Sequence, residues 1–487
     1  MQLGSLAKSL QFVGIVGLVS LFFITFLAQD STTLPVWRTS SPSTGDHLVN
    51  TIESLTDYFF DYTLRDADFG EMGRRTEILA ELIQLNSSLS NTRSLTSLQK
   101  ETISNRTAEL ALSLFPFLPE QNPFEAISQN IQPGSKGIVI PVGLNTFRYA
   151  CHLISSLRNV LHSTLPIQIA HAGETDLPIH YREFISSLAP DISTLDIFSI
   201  FDPQSPFFKS EKGGWWIKPF ALLASPFQHV LLLDADAVFV QPPETIFERH
   251  EGYLDTGVLL FHDRLLWQGG FPDRHSWWET QLKHTSPSAT LNKSLVYNED
   301  YAEECDSGVI ALDKGRLGVL VGLLHIAWQN TNLPRRNWLE KLTYGDKESW
   351  WFGFELVGTA YSFEQTYGSI VGSTYERNET FPSEGQVCSF VIAHVDHIGK
   401  LLWYNGSLLK NKIMQPLEFE VPTHRIVEGV WHKGARKADV SCMVGQIEEL
   451  NQDEIWILSE SVKSAEEVDR KLRQEFPRRF GLGRPRG

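Results

Sequence analysis

The run His229–Val240, HVLLLDADAVFV, constrains the fold of this chain more than any other stretch. Four apolar residues, Val230–Leu233, end directly on Asp234 and Asp236, and Pro242-Pro243 soon afterwards stops any helix from continuing. The run therefore reads as a buried strand. A central parallel strand is apolar on both faces, so its two aspartates should emerge in the crevice at the carboxyl edge of the sheet, where open α/β folds bind ligands. Two carboxylates two residues apart repel each other unless a cation lies between them or one takes up a proton. A divalent metal is the simpler solution, and a pair of solvated turn aspartates is the plain alternative.

The surrounding pattern is α/β. After Pro133-Gly134 come Gly137–Gly143 as a strand, an amphipathic helix over Phe147–Leu161, and a second strand at Pro166–Gly173. Strand, helix, strand with short connections implies a right-handed crossover and a mainly parallel central sheet. Neither G-x-G-x-x-G nor G-x-x-x-x-G-K-[ST] occurs, so dinucleotide and P-loop chemistry have no support. With 42 Lys+Arg against 58 Asp+Glu, the formal net charge is −16, which argues against a nucleic-acid surface despite basic Arg478, Arg479, Arg484 and Arg486 at the end.

Upstream, Leu10–Ala28 is a charge-free apolar run long enough to cross a hydrocarbon core of roughly 30 Å. Phe26 makes a poor cleavage site after Ala28, so the run is expected to remain as an anchor. Lys8 before it and Asp30 after it put residues 1–9 in the cytosol and the remainder in the lumen. A Ser/Thr/Pro-rich tether and a helical stem follow, together spanning 29–130. Leu48, Ile52, Leu55, Tyr58 and Phe59 carry the first helical period, and Ile78, Leu79, Leu82, Ile83 and Leu85 the second. A catalytic domain is expected over 131–430 and a C-terminal extension over 431–487. Asn86, Asn105, Asn292, Asn378 and Asn405 begin N-glycosylation sequons. Cys151, Cys305, Cys388 and Cys442 could form two disulfides or remain buried thiols.

Several further stretches carry residues of the right chemical type. Lys218, in Gly214–Phe220, could meet a phosphate or lay its stem over two tryptophans. Tyr253–Phe261 and Cys305–Leu312 each set a polar pair and a glycine before an apolar strand, and Asp306 and Gly308 belong to the second. Such a glycine lets backbone approach a ligand, or marks a bulge. Asp346, before Lys347, is an N-cap or a substrate contact. A short apolar strand ends at His394, with His397 close behind, and either could give a carboxylate pair its third ligand.

The succession WWIKPFALLASPFQHVLLLDADAVFVQPPETIF, CDSGVIALDKGR, YGDKESWWFGFEL and the late His-bearing strand, over Gly137–Lys412, resembles the fungal Golgi α-mannosyltransferases of the Mnn family. The resemblance implies a GT-A nucleotide-sugar-binding fold, GDP-mannose as donor and Mn2+ as cofactor. It also implies a mannose-terminated glycan on glycoproteins as acceptor and a type II Golgi membrane setting, with a mannosyltransferase complex as a further candidate partner. On it, Asp234 and Asp236 hold the metal with His394 or His397, Lys218, Gly308 and Lys347 contact the donor, and Asp306 and Asp346 act near the sugar. Hard carboxylates suit a metal that neutralises the leaving diphosphate, and a retaining transfer needs no separate strong base. The linkage is expected to be α-1,3. An α-1,2 enzyme of the same fold and a non-catalytic subunit remain the alternatives.

Overall fold

The computed structural model describes residues 44–89, 94–118, 123–208, 214–283, 285–374, 385–434, 436 and 439–480. The expected cytosolic tail, the anchor over 10–28, the tether to residue 43, the sequon at Asn378, and Arg484 and Arg486 lie outside them. Among the described residues no helix is long and apolar enough to cross a membrane.

The chain divides into two compact units. Among the described residues the smaller takes 44–63 together with those of Leu82–Leu110 and is helical, with Leu48, Ile52, Leu55, Phe59, Leu82, Leu85 and Ile103 buried as the helical period requires. The larger takes Leu64–Glu81 and everything from Ala111 onward. The expected stem is therefore divided. Phe69, at the start of the helix Phe69–Ser88, packs at 4.9 Å on Trp277 and 5.0 Å on Trp328 in the larger unit.

The strands of the larger unit, in chain order, are β1 Gln132–Pro141, β2 Ile167–His171, β3 Ile192–Asp196, β4 Phe227–Leu233, β5 Ala237–Phe239 and β6 Val258–His262. There follow β7 Cys305–Asp313, β8 Ser362–Phe363, β9 Ile370–Thr374, β10 Gln386–Ser389, β11 Ile392–Val395 and β12 Leu401–Asn405. The last are β13 Leu409–Asn411, β14 Gln415–Phe419, β15 His424–Ile426, β16 Gly429–Lys433, β17 Ser441–Gly445 and β18 Glu448–Glu449. The main sheet runs β3-β2-β1-β4-β7-β6-β8. Its β3, β2, β1 and β4 are parallel, β7 is antiparallel to both its neighbours, and β6 pairs with β8 in parallel. The sheet is mixed and mainly parallel, with β1 and β4 side by side at its centre as the apolar runs imply.

The described part of the expected C-terminal extension, which reaches residue 480, is not an appendage. Trp431 lies in β16, which joins the sheet β16-β17-β10-β9-β15-β18, and the helix Gln452–Glu475 packs along the helix Phe147–Asn159. Val468 and Leu472 enter the same core as Ile138, Ile140 and Leu231. The helix looks polar in sequence because its apolar stripe is narrow. Part of its contact is made by small and charged residues: Ser156 and Ser461 are hydrogen-bonded at 2.8 Å, and Asp469 accepts from Arg148 at 2.8 Å while lying 2.9 Å from His152. Cys388 and Cys442, directly opposite in β10 and β17, form a disulfide, whereas Cys151 and Cys305 are buried thiols.

Candidate active site

The Asp-Ala-Asp stretch is the turn that carries the chain out of the main sheet. Asp234 N–H donates to the Gly308 carbonyl of β7 at 2.8 Å, Ala237 N–H closes the turn onto the Asp234 carbonyl at 3.0 Å, and β5 then pairs with β12. Both carboxylates face a cavity of about 490 Å³, a size suited to a small ligand. Lys218, Asp306, Ser307, Asp346, Lys347, Asn405 and Lys412 share its wall.

Lys218 is the hub. The helix Ile217–Ala224 is buried on every side, so its one ammonium must find partners inside the protein. It lies 2.9 Å from Asp234 and 3.2 Å from Asp346, and donates to the Ser307 carbonyl and hydroxyl at 3.1 Å each. Burial would lower its pKa, but the two carboxylates outweigh burial and hold it above the ordinary lysine range. Asp234 shifts against its own partner. Burial pushes it up to about 6, with Lys218 opposing and the Asp236 and Asp346 carboxylates assisting. The two shifts are compatible because one ammonium is shared between two carboxylates.

Asp236 is held by Lys412, on the turn between β13 and β14, while Gly406 and Ser407 N–H groups donate to its carbonyl at 3.2 and 2.8 Å. Asp234, Asp236 and Asp346 thus share two ammonium ions. Within this cluster three carboxylates face two ammonium ions, which fits a hard divalent cation on the Asp234/Asp236 pair, while Lys347, Arg264, Lys433 and Arg436 line the cavity further along.

The histidines do not complete that set. His394 is buried, stacked on Trp403 at 4.2 Å, and its Nε2 lies 3.1 Å from Asp306. His397 is exposed on the β11–β12 turn, nearest in ring contact to His250. Among the described residues no group of three His, Cys, Asp or Glu side chains is arranged to hold a metal. A register argument could not have separated the two histidines, because their difference lies in what packs across β11.

Asp306 is fully buried and accepts from Asn405 at 2.9 Å and from the Gly308 N–H at 3.0 Å, in addition to His394. Burial would raise its pKa, but the His394 hydrogen bond, the Lys347 charge and Asn405 hold it well below the usual carboxylate range. Gly308 makes room for protein rather than ligand: a Cβ there would stand 2.7 Å from Asn405 and 2.9 Å from Trp403. The similar stretch at Gly257 is a left-handed helix end (φ 77°), so only the Asp306 copy reaches the cavity. Asn405, read in the sequence as a sequon, spends its side chain inside the site.

Asp346 occupies an N-cap position without capping the helix Lys347–Val357; its carboxylate goes to Lys218 and accepts from Trp350 Nε1 at 2.8 Å. Lys347 pairs with Asp263 and, at 3.5 Å, with Glu303. The next residue, Glu348, carries a signal that the sequence did not single out. Fully buried, it accepts from the Glu304 and Cys305 N–H groups at 3.0 and 3.3 Å and from Trp351 Nε1 at 2.7 Å, which locks the start of β7. Burial nevertheless raises its pKa from 4.5 to about 8. A raised folded value stabilises fully below the unfolded pKa and is lost as pH climbs through the folded one. Between pH 5 and 8 the protein should therefore lose stability at up to about 1.4 kcal/mol per pH unit from this group, and Glu348→Gln should flatten that slope in thermal melts across the range.

Comparison with known proteins then decides the family. The mannosyltransferase family model Mannosyl_trans3 matches residues 135–396, just over half of the chain. The chain belongs to this mannosyltransferase family. The Mannosyl_trans3 match takes in Lys218, both aspartates, Asp306, Asp346, Lys347 and His394, and ends before Asn405 and Lys412. Alpha-1,3-mannosyltransferase MNN1 of Saccharomyces cerevisiae is 25% identical over 318 residues, 56% of this chain and 40% of that protein. Alpha-1,3-mannosyltransferase MNT3 of the same yeast is 29% identical over 279 residues, 51% of this chain and 41% of that protein. The chain thus spans about two fifths of the length of these relatives. Among solved structures, the WbbM bifunctional glycosyltransferase is 12% identical with a TM-score of 0.30 over 57% of this chain and 50% of that one, a likeness too distant to bear on function.

Proposed function

We propose that this member of the mannosyltransferase family is a metal-dependent, retaining GT-A glycosyltransferase. It transfers mannose from GDP-mannose to a mannose-terminated glycan on glycoproteins, in α-1,3 linkage, and is held in the Golgi membrane by residues 10–28 with its body in the lumen. The observation that carries the reading is the cavity in which Lys218 bridges Asp234 and Asp346 while Asp236, two residues from Asp234, is held by Lys412. The α-1,3 linkage follows the names of the relatives, and the disulfide suits an oxidising lumen.

A divalent ion, manganese in this reading, would be held by Asp234 and Asp236 and would neutralise charge on the departing diphosphate. Lys218 orients Asp234 and Asp346 and keeps them from repelling each other. Asp306, ionised in a buried setting, stabilises positive charge that develops on the sugar. Both of its oxygens already accept hydrogen bonds, which lowers its nucleophilicity and favours direct same-face transfer, with the leaving phosphate taking the acceptor proton.

The full-length protein, incubated with GDP-mannose, manganese and α-mannobiose, should yield a trisaccharide, and linkage analysis should show an α-1,3 bond. An α-1,2 product would change the linkage alone. Calorimetry that ranks UDP above GDP would keep glycosyl transfer and remove the mannosyl donor. No product from any nucleotide sugar would favour a non-catalytic subunit.

A further inference from the structure

We infer that Trp267 is the platform on which the acceptor sugar stacks, an assignment that rests on the glycosyl-transfer reading of the same cavity. Two observations set this residue apart. Its φ is 51°, in the left-handed region where a bulky L-residue is strained. Its side chain is also 52% exposed, although it lines the cavity that holds the aspartates. A strained backbone is normally held by a buried side chain, yet among the described residues the one ring packed near this indole is Phe271, at 6.4 Å.

The loop instead is pinned by its main chain. Gly270 N–H donates to the Trp267 carbonyl at 3.0 Å, Gly269 N–H to Asp300 at 2.7 Å, and Ala302 N–H to Leu266 at 2.9 Å. These bonds hold the Trp267 main chain, and its half-exposed indole lines the cavity. The loop springs from the end of β6, where Phe261 pairs with Asp306 and the next residue but one, Asp263, holds Lys347. It therefore starts from the residues placed near the transferred sugar.

The cavity has a second aromatic wall, which separates the roles. Trp215, 5.1 Å from Tyr344, lies against Gly345, where a Cβ would come within 2.7 Å of its ring. That wall adjoins Lys218 and Asp346 and belongs to the donor side. A half-exposed indole can stack on the apolar C–H face of a pyranose, and Arg264 and Glu303, which line the same cavity, can meet its hydroxyls.

The test uses Trp267→Gly and Trp267→Phe in the full-length protein with α-mannobiose as acceptor. Trp267→Gly should raise the acceptor KM about 10-fold or more, and Trp267→Phe less, with the donor KM and acceptor-free GDP release unchanged. Glycine is at ease at this φ, so the Tm of Trp267→Gly should hold or rise. An unchanged acceptor KM, a donor KM that rises in step, or a fall in Tm would overturn the assignment. If wild-type protein releases no GDP from GDP-mannose, the donor reading fails instead. Calorimetry of α-mannobiose on wild type and Trp267→Gly then decides the platform alone: equal binding, or none to wild type, overturns it.

Discussion

Asp234→Asn and Asp236→Asn should each lower mannosyl transfer by at least about 1,000-fold while leaving the fold in place. Each substitution removes half of the carboxylate pair that would hold the metal against the diphosphate, and the nearby Asp346 is already engaged by Lys218 and Trp350. Stability should change little. In Asp234→Asn the Lys218 ammonium keeps Asp346, and the amide oxygen can still accept from it. In Asp236→Asn the released Lys412 is 28% exposed and can turn to solvent. Steady-state rates with saturating manganese, alongside melting curves, check both halves. Transfer that persists in a chelator would remove the metal from the mechanism.

Lys218→Met should do the opposite to stability, costing about 3–5 kcal/mol, because it removes the one cation that two carboxylates share and leaves them facing each other out of water. Burial already pushes Asp234 up to about 6 with the lysine present. Without it, one of the two acids must take up a proton to stay inside, so the variant should lose most stability at neutral pH and recover part of it as the pH falls toward 5. Urea unfolding at pH 5 and pH 7.5 measures this. Equal loss at both values would mean that the lysine acts through packing alone.

The contrast between these residues shows what a linear pattern carries. Val230–Leu233 could only be buried, so where they stopped, and the aspartates after them, was legible. Lys218 was recognisable as a residue of interest, but its two readings, phosphate contact or cover for tryptophans, differ only in what stands across the cavity. Its observed place between Asp234 and Asp346 joins residues far apart in the chain. Asn405 and Lys412 had the same difficulty: one lay hidden in a sequon, the other in a short hairpin without any apolar period. The helix Gln452–Glu475 was undervalued because serines and an aspartate make part of its buried contact, and such residues read as solvent-facing until their partners are known.

That helix has a consequence in genetic terms. The Mannosyl_trans3 match ends at residue 396, whereas Trp403 and Asn405, which brace His394 and Asp306, come later, as do Lys412, Cys442 and the core residues Val468 and Leu472. A premature stop codon between residues 396 and 405 would spare every residue of the recognised family segment. It should still give a null allele, because the message would encode a main sheet missing one covering helix and an Asp306 missing Asn405, one of its three hydrogen-bond donors.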